Sequence, residues 1–233
     1  MLLVDRKTLF MLGFLLSVIL IEAKLARAQF AVDCPATLAT VNNGFLSDTV
    51  GERIKEIYKD LNCRVMLVQV PGRRGIALFN IGQVNGEVMR LDKVEPLYSR
   101  NFVRSKVKLL DVHSSLWVHP DMIHSTEIPV GYTFGVIWQE KYVEGRRARK
   151  FNDNTELFSA YSSGEIKSLL AADITVGRAI RNEQLKPAPI KLKLLLSAPL
   201  YHYLGSEFSP FMIRFSDYLE KNEPFTEILK LQN

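Results

Sequence analysis

Two arginines give the clearest handle on chemistry in this chain. Arg74 and Arg90 each stand beside an apolar run, where strands of a sheet would end. A guanidinium forks two N–H groups towards a carboxylate or a phosphate, so either residue could fix an anionic solute. Internal salt bridges are the competing assignment, since Glu87 and Asp92 lie near in sequence. Phe45 would cover one side of a solute held by Arg74. Trp117 and Trp138 can stack on such a solute or pack in a core. Chemistry beyond binding finds little support. His113, His119 and His124 are spaced by 6 and 5 residues, which is neither a helical repeat nor a common metal-ligand spacing. No serine stands in a G-x-S-x-G setting, no glycine-rich phosphate loop occurs, and no carboxylate can be singled out as a proton donor. These residues call for no metal and no cofactor.

The elements that must position the arginines follow an alternating pattern. The apolar run Ala36 to Val41 reads as a strand, and Asn42-Asn43-Gly44 as the turn that ends it. Thr49, with Glu52 three residues on, forms a capping box, and Val50, Ile54, Ile57, Tyr58 and Leu61 make one apolar helical stripe. Asn62 stops that helix. Val65-Met66-Leu67-Val68 is a continuous apolar run, which reads as a strand covered on both faces. Pro71-Gly72 then turns the chain into a second helix, Arg74 to Ile81, ended by Gly82. Strand, helix, strand, helix implies a parallel sheet with right-handed crossovers. Ligands of such sheets sit at the carboxyl ends of the strands, here Asn42 to Phe45 and Val70 to Arg74.

Export is written into the first residues. Arg6 and Lys7 precede an apolar stretch from Leu9 to Ile21, and Ala26-Arg27-Ala28 supplies a cleavage site, so residues 1–28 read as a signal peptide. The apolar stretch is too short to span a bilayer comfortably. Removing the leader takes four of the 30 basic and two of the 25 acidic residues, leaving a net charge of about +3. So small a charge gives no reason to expect nucleic acid as a partner. The basic run Arg146 to Lys150 reads as a solvated loop. Cys34 and Cys63 both survive cleavage, and two cysteines in an oxidising compartment read as a disulfide, with a pair of reduced thiols as the alternative.

Pro71-x-x-Arg74 followed by Gly82-Gln83-Val84-Asn85-Gly86-Glu87-Val88-Met89-Arg90 resembles a segment of the bacterial extracellular solute-binding proteins of family 3. Pro199-Leu200-Tyr201-His202-Tyr203-Leu204 resembles the closing motif of the same family, in which His202 is structural. Gly131 to Trp138 resembles the strand that opens its second lobe. The resemblance implies a two-lobed, periplasmic-binding-protein-like α/β fold, each lobe a parallel-type sheet flanked by helices, joined by two crossing segments. Lobe 1 would hold residues 29–124 and 195–233, and lobe 2 residues 125–194. Within that frame Thr133 to Trp138 reads as a strand, Thr155 to Ala172 as a helix, Ile174 to Ile180 as a strand and Leu192 to Leu196 as a crossing strand. Ser209-Pro210 starts a helix with Phe211, Phe215, Tyr218 and Leu219 on one face. Two departures stand out. The family's acid is Asn85 here, which replaces a carboxylate for a ligand ammonium or for a hydrogen bond within lobe 1 by a neutral amide, and the first strand lacks an aromatic-proline loop, leaving Phe45 alone.

The implied function is periplasmic capture of a small polar solute, anionic if Arg74 or Arg90 holds it, for an ABC-type permease or a receptor, with Arg74, Phe45, Asn85, Arg90 and Trp138 as ligand-binding residues. An interaction module on a degenerate binding fold and a lyase or dehydratase on the same scaffold are the alternatives. Bonding of Cys34 to Cys63 closes a loop of about 30 residues and should contribute roughly 3 to 4 kcal/mol. Thiol titration of denatured, unreduced protein should find no free sulfhydryl; two free sulfhydryls would contradict the pairing.

Overall fold

The computed structural model describes residues 34–42, 44–124 and 129–230. The expected leader, residues 1–28, and Asn43 of the first turn lie outside the described residues. Both cysteines are disulfide-bonded, Cys34 to Cys63. No helix among the described residues is long and apolar enough to cross a membrane.

Strand β1 (Thr37–Val41) leads into α1 (Phe45–Asp60), β2 (Met66–Val70), α2 (Gly72–Asn80) and β3 (Gly86–Leu91). β1 lies between β2 and β3 and is parallel to both. The α1 stripe is as expected: Val50, Ile54, Ile57 and Tyr58 are buried, and Asn62 ends the helix at a φ of 60°. Two local expectations are corrected. Thr49 does not cap α1, because its hydroxyl donates backwards to the Phe45 carbonyl at 2.8 Å, and the helix starts a turn earlier at Gly44. The run at Val65 is not covered on both faces. β2 forms the sheet edge, and Met66 is 67% exposed.

Beyond β3 come β4 (Phe102–Arg104) and β5 (Leu110–Val118), then β6 (Val130–Thr133), α3 (Ile137–Val143), β7 (Ala148–Phe151) and α4 (Asn154–Ser162). β8 (Ser168–Ala172), α5 (Asp173–Arg181), β9 (Ile190–Gly205), α6 (Ser209–Asn222) and α7 (Thr226–Lys230) complete the order. The nine strands of the described residues form one sheet, ordered β2-β1-β3-β9-β5-β8-β6-β7 with β4 paired to β9. The join is antiparallel: β9 pairs along β5 from Ile190 opposite Val118 to Leu200 opposite Leu110, then continues against β3.

Period misled the reading of the middle of the chain. The strand expected at Thr133–Trp138 ends at Thr133, and Gly135, at a φ of 82°, turns the chain into α3. The helix expected over Thr155–Ala172 stops at Ser162, where Gly164 takes a φ of 80°, and the fully apolar Leu169-Leu170-Ala171 belongs to buried strand β8. Ile174 to Ile180 is helical, since it buries Ile174, Thr175, Val176 and Ala179 on one face rather than alternate residues. Within the basic run, Ala148–Lys150 starts edge strand β7, whose exposed charges discourage pairing with other chains.

Helix α6 packs on α1, β4 and β9. Its Phe211 and Phe215 surround Tyr58 and His202, with ring centroids 4.5 to 6.1 Å apart. The His202 Nδ1 lies 2.9 Å from the Glu87 carbonyl and 3.1 Å from that of Val88. Carbonyls only accept, so Nδ1 carries the proton and Nε2 accepts from the Tyr58 hydroxyl at 2.8 Å. Burial lowers the imidazole pKa from 6.5 to about 4. The unfolded chain therefore binds a proton that the folded one refuses between those values, and stability present above pH 6.5 is lost as pH falls. That loss should reach about 3 kcal/mol by pH 4. Urea melts across this range should show it in the wild type and not in His202→Gln; equal pH dependence in both would contradict the assignment.

Candidate functional site

A cavity of about 190 Å³ lies where the carboxyl ends of β1, β3, β6 and β8 converge. Its walls are mostly apolar, with Val41, Leu46, Leu91, Val112, Ile137 and Leu196 among them. Polar groups come from Asn42, Ser47, Ser114, Thr133, Gln139, Asn154 and Thr175. Among the described residues, Arg90 is the only charged one in the lining and Trp138 the only aromatic one. The site thus sits where an α/β sheet offers its strand ends to a ligand.

Arg90 reaches the cavity as half of an ion pair. Its Nη2 stands 2.5 Å from Oε1 of Glu87, Nε adds a 2.9 Å bond to the same oxygen, and Nη2 also donates to the Gly72 carbonyl. The Glu87 side chain has no exposed surface, and its second oxygen accepts from the Tyr98 hydroxyl. Burial, then the neighbouring Glu87 carboxylate, pushes the Tyr98 phenol far above its ordinary pKa, which keeps it a neutral donor. Space for the pair comes from Gly75, where a Cβ would stand 2.6 Å from Glu87 and 2.7 Å from Arg90.

The rim is drawn together by backbone and charge. A Cβ on Gly72 would lie 2.5 Å from the Gly135 carbonyl, so the α2 and β6–α3 turns meet in direct contact that only glycine permits. Glu140 on α3 accepts from the Gly135 N–H at 2.9 Å and from Arg73 Nε at 2.9 Å. Burial opposes ionisation of Glu140, but the Arg73 and Gly135 donors outweigh it and hold the carboxyl below its ordinary pKa. Beneath, the Gln139 amide fixes the loop: its oxygen accepts from Thr133 N at 2.7 Å and its nitrogen donates to the Leu170 carbonyl at 3.2 Å. Thr133 Oγ1 lies 3.2 Å from Asn154 Oδ1.

The five residues named from sequence scatter. Arg90 and Trp138 line the cavity together. Arg74 is exposed on α2 and outside that lining, whereas its neighbour Arg73 makes the bond to Glu140. Phe45 lines a neighbouring open depression with Asp48, Phe158 and Arg178, and the Arg178 guanidinium lies 4.0 Å over its ring. Asn85 serves the fold: its Oδ1 accepts from the backbone N–H groups of Ala36 and Thr37 and from the Thr37 hydroxyl, tying the start of β1 to the turn before β3. Ser47, Ser114, Gln139 and Asn154 were missed. For Asn154 a signal existed, since Asp153 caps α4 by accepting from Glu156 N at 2.9 Å, three residues on.

Arg90→Met leaves the Glu87 carboxylate buried without its cation and should cost about 3 to 5 kcal/mol in urea melts. Adding Glu87→Gln should recover much of that loss. A single variant as stable as the wild type would show that the pair does not hold this region.

No family model matches the chain, and neither does any curated protein. Solved structures do. An amino acid ABC transporter substrate-binding protein, AbpA from Streptococcus pneumoniae bound to L-arginine, superposes with a TM-score of 0.66 at 13% identity, over 84% of this chain and 93% of that one. The GluR0 ligand-binding core in complex with L-glutamate gives 0.64 at 10% identity, over 85% and 96%. An ancestral amino-acid-binding protein, AncCDT-1, a precursor of cyclohexadienyl dehydratase, gives 0.64 at 12%, over 84% and 94%. The chain therefore has the mixed α/β fold of the two-lobed, type-2 periplasmic binding proteins, the fold of the family-3 solute-binding proteins that its motifs resemble.

Proposed function

We propose that this protein is an exported solute-binding protein that captures a small molecule in the Arg90–Trp138 cleft and presents it, in the periplasm, to a permease or a receptor. The observation that carries the reading is the cavity itself, set at the strand carboxyl ends and bordered by the Arg73–Glu140–Gly135 contacts. The fold adds support, because structural neighbours hold L-arginine and L-glutamate. The leader-like first 28 residues and the Cys34–Cys63 disulfide suit an oxidising compartment outside the cytoplasm. In this reading residues 29–124 with 195–233 move against 125–194 about the β5 and β9 segments, and ligand is held when they close.

Binding is favoured over turnover by the composition of the cleft. No Asp, Glu or His lines the cavity among the described residues, so a proton-transfer step has no group there to perform it. The related scaffold that preceded a dehydratase keeps the enzymatic alternative in view as a property of the fold, to be judged by its site.

A thermal-shift screen of small metabolites on the purified protein tests the proposal. A ligand at about 100 times its Kd should raise the melting temperature by roughly 5 to 10 °C. Ser47→Leu, which fills the cavity from α1, should abolish the shift while the variant still melts cooperatively. A screen without hits would favour the interaction-module alternative, and a hit unaffected by Ser47→Leu would place binding elsewhere.

A further inference from the structure

The charge balance and size of the cleft narrow what it can hold. We infer that its ligand is a small uncharged molecule with an apolar body and an accepting oxygen that meets Arg90. This rests on the cleft being the ligand site, as proposed above.

Size comes first. A cavity of about 190 Å³ is slightly larger than the roughly 150 Å³ apolar cavity that takes benzene, and well below the 300 to 1,000 Å³ of drug-sized sites. A single ring or a short chain fits that space. Charge decides the rest. Arg90 is the only charged residue of the lining among the described residues, and it is already neutralised by the fully buried Glu87 at 2.5 Å. A ligand carboxylate at Arg90 would set a second desolvated anion beside the buried Glu87, with one guanidinium charge between them. An ammonium would find no carboxylate among the described residues of the lining, so entering the cleft would strip its water without replacement.

A neutral acceptor meets neither obstacle. The N–H groups on Nε and Nη2 are committed to Glu87 and the Gly72 carbonyl, which leaves the Nη1 edge to donate without breaking the ion pair. The remaining polar residues of the wall, Asn42, Ser47, Ser114, Thr133, Gln139, Asn154 and Thr175, carry neutral hydroxyls and amides. Between them stand Val41, Leu46, Val112, Leu196 and Trp138, which suit an apolar body.

Benzamide, benzoate and benzylamine share one ring and differ in charge, so they separate the terms cleanly. With the intact wild-type protein, followed by tryptophan fluorescence and thermal shift, benzamide should bind, and both ions should bind at least about tenfold more weakly. Ser47→Leu should remove benzamide binding. Equal or tighter binding of benzoate or benzylamine, or of L-arginine or L-glutamate, would overturn the inference and leave solute capture standing. Absence of benzamide binding at millimolar concentration would also overturn it, while capture itself is judged by the broader metabolite screen.

Discussion

A carboxylate with no exposed surface is tolerated only where a cation meets it, and Glu87 meets Arg90 inside the first group of strands. That requirement organises the neighbourhood. Gly75 must lack a side chain for the two to fit against α2, Tyr98 must stay protonated to serve the second carboxylate oxygen, and Gly72 must offer its carbonyl to Arg90. The same Gly72 touches Gly135, so the pair sits directly behind the contact that borders the cleft. Stability and ligand chemistry are thereby joined at one residue. Arg90 lines the cavity, but its charge is already spent on the fold.

The second constraint is the antiparallel pairing of β5 with β9, which carries one sheet across the whole described unit. Each long strand serves both strand groups: β9 pairs with β5 through its first two thirds and with β3 and β4 at its end. Ser114 and Leu196, opposite one another in this pairing, both face the cavity. The strands that join the groups therefore also form the floor of the site. Any motion that opens the cleft must bend them, and their register shifts near Ser114 and Trp117 mark where the ladder is already irregular.

Local signals carried the N-terminal third of the fold. Repeats of 3 and 4 placed α1, Asn62 and Gly82 marked helix ends, and the strand-helix order gave a parallel sheet. The later region was harder because short, fully buried elements lose their period. The stretch 169–172 is apolar on both faces and α5 is nine residues long, so strand and helix exchange appearances. The candidate site was half legible for a related reason. Arg90 follows from residue type at the end of a strand, and Trp138 from being an aromatic able to stack, although it stands on a helix where a strand was expected. Which of two adjacent arginines reaches across a turn depends on the rotation of one short helix. The polar residues that matter most, Gln139 and Asn154, are set by tertiary hydrogen bonds that no spacing announces. Of the two roles open at Asn85, ligand contact and a hydrogen bond within lobe 1, its amide oxygen makes the second, at the start of β1.

The central claim is that this cleft holds a solute, and a crystal structure with the strongest compound from the metabolite screen tests it most directly. The account predicts density for one small molecule between Trp138 and Arg90, with Ser47 and Ser114 in reach and the Glu87–Arg90 pair intact. A compound seated instead in the Phe45–Arg178 depression, or a cleft collapsed around its own apolar walls while the compound binds elsewhere, would contradict it.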